Sequence, residues 1–182
     1  MAGNILPITG YRFAAGESFF VDANVWIYLY ARQDPADRRI GIYSRALSEI
    51  LRNGGRVYVD VLVLSEFINR YARLEHEFSI ADGGPVNFKD FRNSAAFKPV
   101  AKSIAVACRA ILKNAARTES CFDSMNIGTV LQDYESRPRD FNDQVLCEIC
   151  RAKSFKMISH DSDLKDIGVD LLTANRKLLS FP

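Results

Sequence analysis

Cysteine is scarce in this chain. Four in 182 residues are too few for a disulfide-stapled scaffold and fit a reducing compartment, so a cytoplasmic location is expected. Long apolar runs are missing too. No stretch approaches the roughly 18 to 20 uncharged apolar residues of a transmembrane helix, so no membrane role is expected. The opening MAGNILPITGYRF has no charged region leading into an apolar one, and no secretory signal is expected from it. Nor is charge of one sign in excess: 24 Lys and Arg oppose 22 Asp and Glu. The overall balance therefore does not mark a nucleic-acid binder, and any such function must reside in a local site. Neither a Walker A loop nor a GxGxxG stretch occurs, which leaves nucleotide-dependent chemistry without support. What is present is an apolar content of 48% with 25% charged residues. That suffices for one core at this length and is too apolar for disorder.

Hydrophobic periodicity divides the chain into alternating elements. Short strands are expected at 18–22 (SFFVD), 56–60 (RVYVD), 118–123, 156–159 (KMIS) and 169–172. Helices are expected at 24–32, 36–53, 62–80, 126–135 and 141–153. Gly54-Gly55 should end the second of these, since glycine favours the left-handed position after a helix. Asp82-Gly83-Gly84-Pro85 is a clear break. Residues 88–115 read as helical with an interruption at Lys98-Pro99, because the residue before proline avoids the α region. Arg137-Pro138 should end the helix before it. Strands alternating with helices predict an α/β fold, a three-layer α/β/α sandwich around a mainly parallel sheet. The expected organisation is an N-terminal extension over 1–17 and a single domain over 18–182, with a helical insertion around 75–118.

In such sheets, ligands bind outside the carboxyl ends of the strands, and several acids fall there. Asp22 ends the first strand within FFVDANVWIYLY, where an unpaired carboxylate near the core is costly. Glu66 lies within two turns of the RVYVD strand, Asp143 opens the helix DQVLCEICRA, and Asp161 follows KMIS with Asp163 two residues on. Several carboxylates in one concavity repel unless a hard cation neutralises them, and an oxygen-only set suits Mg²⁺ or Mn²⁺. Taken singly, Asp22, Asp60 and Asp161 can each be helix N-caps, as can Asp140. For Asp60 the capping reading is adopted.

The order of these segments carries a resemblance. An apolar strand ending in Asp22-Ala-Asn24, then LSEF with Glu66, then DFNDQVLCEICRA, then MISHDSDL resembles the PIN domain family over roughly residues 18–172, nearest in pattern to the VapC-type toxin ribonucleases. The resemblance implies a PIN-like parallel sheet between helices and an acidic pocket that binds Mg²⁺ or Mn²⁺ and cleaves RNA. It implies Asp22, Glu66, Asp143 and Asp161 as the catalytic acids, with Asp163 able to share or replace the role of Asp161. Asp143 is preferred to Asp140 because the span from it to Asp161 has the expected length. All five would hold metal directly or through water, and Asn24 and Ser159 would orient the carboxylates. Ser159 stands where the family usually has threonine, and the segment from about Glu75 to Thr118 is longer than in compact toxins. The function implied is a divalent-metal-dependent endoribonuclease, the toxin of a type II toxin–antitoxin pair. The alternatives are an RNA-processing nuclease that is not a toxin, and a catalytically silent PIN-like interaction module. RNA is the implied substrate and a small antitoxin protein the implied partner. The side chains Trp26, Tyr28, Tyr30, Ile42 and Tyr43 read either as a groove for an amphipathic helix of that partner or as packing internally or at a homodimer contact.

Other residues read as structural. Cys147 and Cys150 have CxxC spacing without a second pair and sit in an apolar helical pattern, so core packing is expected. His160 reads as an exposed loop histidine and His76 as part of a solvated helix face. The cations Lys89, Arg92, Lys98, Lys102, Arg109, Lys113 and Arg117 form either a solvated face or an RNA-contacting one.

Overall fold

The computed structural model describes residues 3–136, 140–165 and 167–180. Six strands form one sheet: β1 (Ile5–Pro7), β2 (Ser18–Val21), β3 (Arg56–Val59), β4 (Ala116–Arg117), β5 (Lys156–Ile158) and β6 (Leu171–Thr173). Their spatial order is β1-β6-β5-β2-β3-β4, and every pairing is parallel. A parallel sheet must be covered on both faces. Accordingly Phe19, Phe20 and Val21 are each fully buried whichever way they point. Eight helices among the described residues complete the fold: α1 (Ala23–Tyr30), α2 (Arg38–Arg52), α3 (Val61–Ala81), α4 (Phe88–Asn93), α5 (Phe97–Asn114), α6 (Ile127–Ser136), α7 (Phe141–Lys153) and α8 (Arg176–Leu179). None is long and apolar enough to cross a membrane.

The expected α/β sandwich is present, and "mainly parallel" becomes wholly parallel. Local chemistry explains most of the boundaries. Gly54 takes φ +80° just after the α2 cap Asn53, a backbone shape that side-chain-bearing residues avoid. Asp22, Asp60 and Asp140 each accept a backbone N–H at the start of the next helix. Asp161 caps no helix; it accepts the Asp163 N–H at 2.9 Å in a loop.

Several expectations are corrected. The strand expected at 118–123 is instead two residues at Ala116–Arg117, and beyond Thr118 the chain turns through Cys121 at φ 56°. The break inside 88–115 falls at 94–96 rather than at Lys98-Pro99. Pro99 lies in the first turn of α5, where its missing N–H would have had no helical partner anyway. The expected stop at Arg137-Pro138 lies outside the described residues. Residues 5–7 pair with β6 as an edge strand, and α8 follows β6; neither element was anticipated.

The chain passes from β2 outward to β3 and β4, then returns to β5 on the other side of β2. The sheet therefore reverses direction between β2 and β5. Crevices at such a point, outside the carboxyl ends of the strands, are where open α/β sheets bind ligands.

Candidate active site

Asp22 and Ser159 stand side by side at this reversal. The Asp22 N–H still donates to Ile158 O at 3.0 Å, and the Ser159 N–H to Leu172 O at 3.3 Å. Both side chains thus project just past the end of the ladder. The Asp22 residue is 4% exposed, and both of its carboxylate oxygens accept hydrogen bonds. Its Oδ1 accepts the Ala23 N–H at 2.6 Å, while Oδ2 accepts Asn24 Nδ2 at 2.5 Å and Ser159 Oγ at 2.6 Å. Asn24 also donates to Ser159 Oγ at 2.9 Å. Its own Oδ1 accepts the His160 N–H at 3.1 Å. Ser159 Oγ in turn accepts the Asp161 N–H at 3.0 Å. One aspartate, one asparagine and one serine therefore tie the start of α1 to the loop that carries Asp161. This is the arrangement expected of groups that orient a carboxylate from behind.

The remaining acids approach from two helices. Asp143 sits in the first turn of α7, and Glu66 in the second turn of α3. Glu66 pairs with exposed Arg70 one turn on, at 3.2 Å, a contact worth little by itself. Electrostatics report how these acids relate. Burial pushes the Asp22 carboxyl up to about 6, and the charges of Glu66 and Asp161 add to that, while the Ser159 and Ala23 hydrogen bonds oppose it. Asp143 is pushed up to about 7, by burial first and then by the charges of Asp22, Asp161, Asp140 and Glu66. A helix's first turn ordinarily favours a carboxylate; here burial and like charge outweigh that. Asp22, Glu66, Asp143 and Asp161 thus lie near enough for their charges to act on one another. Asp163 is tied to them through its N–H bond to Asp161, its own side chain meeting only Ser162 Oγ at 3.5 Å.

Among the described residues, no three acidic, histidine or cysteine side chains are drawn together into a ready metal cage. The set still fits a hard cation. It is all oxygen, its members repel one another, and Mg²⁺ characteristically keeps several waters while using one or two carboxylates directly. Asp60 differs: Oδ1 caps α3 through the Val63 N–H at 2.9 Å, and Oδ2 is buried with no hydrogen-bond partner among the described residues.

Two features have no counterpart in the sequence reading. His160 is not an exposed loop residue but half-buried, with its ring edge-on to Tyr28 and Tyr43 and its Nδ1 2.8 Å from the Tyr43 hydroxyl. Arg39 covers Tyr28, 4.3 Å from its ring centre, and is held by Asp37 at 2.6 Å. This layered cluster props the 159–161 loop from the side of α2. Gln144, next to Asp143, is buried with neither amide atom hydrogen-bonded among the described residues. Its neutral amide beside Asp143 in DQVLCEIC gave no sign of this. His76 is also corrected: it is buried, donates from Nε2 to Pro85 O at 2.8 Å and packs on Phe88 and Phe91. Trp26 and Tyr43 are fully buried, so only Tyr28 and Tyr30 of the four aromatics remain partly open. Cys147 and Cys150 pack in the core as expected.

Comparison with known proteins gives one family. A family model described as PIN domain matches residues 19–170, a span that contains every acid of the site. Among solved structures, a crystal structure of PAE2754 from Pyrobaculum aerophilum is similar, with 14% identity, a TM-score of 0.49, and coverage of 93% of this chain and 92% of that one. No curated protein matches the sequence.

Proposed function

The chain belongs to the PIN domain family, and from that premise we propose that it is a divalent-metal-dependent endoribonuclease of the cytoplasm. What supports the reading is the Asp22 carboxylate held by Asn24 and Ser159 at the reversal point of the sheet, with the charges of Asp22, Asp161 and Glu66 adding to burial in raising Asp143. Burying like charges together is unfavourable unless a ligand offsets it. Asp22, Asp143 and Asp161 would hold Mg²⁺ or Mn²⁺, with Glu66 and Asp163 reaching it directly or through water. When bound, such an ion neutralises the acids and makes a water acidic enough to serve as nucleophile near neutral pH. The protein's own share is positional. Ser159 and Asn24 fix both oxygens of Asp22, and the α7 backbone holds Asp143 opposite. Glu66, less buried than Asp22, is the candidate to accept the proton of the attacking water. A catalytically silent interaction module would be expected to lack one of these acids, and none is missing.

The test is cleavage of RNA by purified protein. Activity should require Mg²⁺ or Mn²⁺, cease in chelator, and fall by orders of magnitude in Asp22→Ala and in Asp143→Ala. Full activity of either variant would refute the assignment of the site.

Within this reading, the finer proposal is the toxin of a type II pair. Its support is a partly apolar groove. Clefts of about 460 and 270 Å³ meet at Tyr30, the first lined by Tyr71 and Val106 together with Lys102, the second by Leu47 and Leu51 together with the polar Ser44, Ser48 and Asn114. Such a groove suits an amphipathic antitoxin helix; a second copy of the chain is the competing occupant. Expression alone should then arrest growth, and Asp22→Ala or co-expression of an adjacent small protein should relieve it. Harmless expression of folded, metal-loaded protein would remove the toxin role, favour an RNA-processing nuclease, and leave the nuclease reading standing.

A further inference from the structure

Charge is balanced over the whole chain but not along it. The segment 88–117 holds seven of the 24 cations and one of the 22 acids, so the rest of the molecule is net acidic. The helix α5 within it has no acid at all. At about 100° per residue, Lys98, Lys102, Arg109 and Lys113 fall within about 60° of one another. The opposite side carries Ile104, Ala107 and Ile111, which are buried where α5 packs on α3. All four cations are exposed, and none is ion-paired to an acid among the described residues. From Lys98 to Lys113 within α5 the stripe spans about 22 Å at about 1.5 Å per residue. Arg117, also exposed, lies at the carboxyl end of β4, on the same edge of the parallel sheet as the end of β2 next to Asp22.

We propose that the outer face of α5 is a docking track for the sugar–phosphate backbone of single-stranded RNA, separate from the acidic pocket. Four like charges in one row, with no acid to offset them, repel one another. An ordinary solvated helix face mixes both signs, which lowers that repulsion. A polyanion relieves it and releases its condensed counterions, a gain that grows with each phosphate neutralised. No aromatic residues interleave the row, so backbone contact without base readout is the chemistry it offers. The acids of the site repel RNA until neutralised. A cationic face elsewhere would hold a long substrate while one phosphate enters the pocket. The inference rests on the nuclease reading for the identity of the anion.

Binding can be measured apart from cleavage. A labelled 20-nucleotide oligouridine is titrated against the Asp22→Asn protein in chelator, over a series of NaCl concentrations. The variant combining Lys98→Gln, Lys102→Gln, Arg109→Gln and Lys113→Gln should bind about tenfold or more weakly at low salt. Its slope of log affinity against log salt should fall by about 3, four contacts at about 0.7 each. In the otherwise wild-type protein with metal, the same four changes should raise KM for long RNA and spare the cleavage of a trinucleotide. Unchanged affinity and salt slope, in a variant whose melting temperature is retained, would overturn the proposal. Equal competition by poly-glutamate with unchanged KM for long RNA would also overturn it, in favour of an acidic protein partner. Failure of the wild-type protein to cleave any RNA would instead strike the nuclease reading, and the binding arm would still decide the α5 track.

Discussion

Asp22 and Asp60 occupy equivalent local positions, each closing a strand and capping the helix that follows. Their surroundings separate them. Asp22 has both oxygens engaged by Ala23, Asn24 and Ser159 and faces other acids. Asp60 uses one oxygen for its cap and buries the other with no hydrogen-bond partner among the described residues, and burial raises its carboxyl above the usual range. Removing the cap by Asp60→Ala should cost about 1 kcal/mol. Asp60→Asn keeps an acceptor for the cap and removes a poorly solvated charge, so it should cost less. Both should leave RNA cleavage largely intact. Melting curves and turnover measured together decide the matter. An inactive Asp60→Ala protein with an unaltered melting temperature would mean that Asp60 belongs to the chemistry. The sequence placed Asp22 and Asp161 at or just past strand ends, Glu66 within the first two turns of α3 and Asp143 in the first turn of α7. Their grouping into one proposed site came from the order of the segments that carry the family resemblance. The Arg39–Tyr28–His160 layer was not legible, because it is made by partners 11 to 132 residues apart along the chain, as with Arg39 and Tyr28 or His160 and Tyr28. Gln144 was not, because its burial follows from how α7 packs.

At the scale of elements, long amphipathic helices were readable and short edge strands were not. The helices α2, α3 and α7 repeat their apolar positions over several turns, and α7 begins and ends at the expected residues. The strand β1 has three residues, and β4 two. Neither shows enough alternation to register, and each exists only because a neighbouring strand supplies hydrogen bonds. Pro99 misled for a different reason, since proline at a helix start and proline at a break look alike until the start is known. The two readings predict opposite effects. In the first turn of α5 the ring limits the unfolded chain at no cost to the helix, so Pro99→Ala should lower stability by up to about 1 kcal/mol. A clear gain in stability on making Pro99→Ala would show that proline strains the helix there. Chemical denaturation with an unchanged m-value would give the comparison.

The whole molecule responds to pH through the same carboxylates that are proposed to bind metal. Asp22 and Asp143 have folded-state values of about 6 and about 7, against about 3.9 in an unfolded chain. The folded state therefore holds more protons than the unfolded state between those limits. Stability falls wherever that is true. Their favourable contribution is complete below about pH 4 and is lost as pH rises through 6 and then 7. His160 acts in the opposite sense: burial, then the charge of Arg39, lowers its value, so its contribution grows as pH rises through its range. Asp143→Asn isolates the acidic part of the profile. In chelator, the melting temperature of the unaltered protein should decline between pH 5 and 7.5 more steeply than that of Asp143→Asn. Millimolar Mn²⁺ should flatten the decline in the unaltered protein, because a ligand bound only by the folded state stabilises it by mass action and replaces the protons that had held the acids together. The Mn²⁺ effect should vanish at pH 5, where protons compete with metal for the same oxygens. Parallel pH profiles with and without Mn²⁺ would mean that the repulsion among these acids is relieved by something other than a cation.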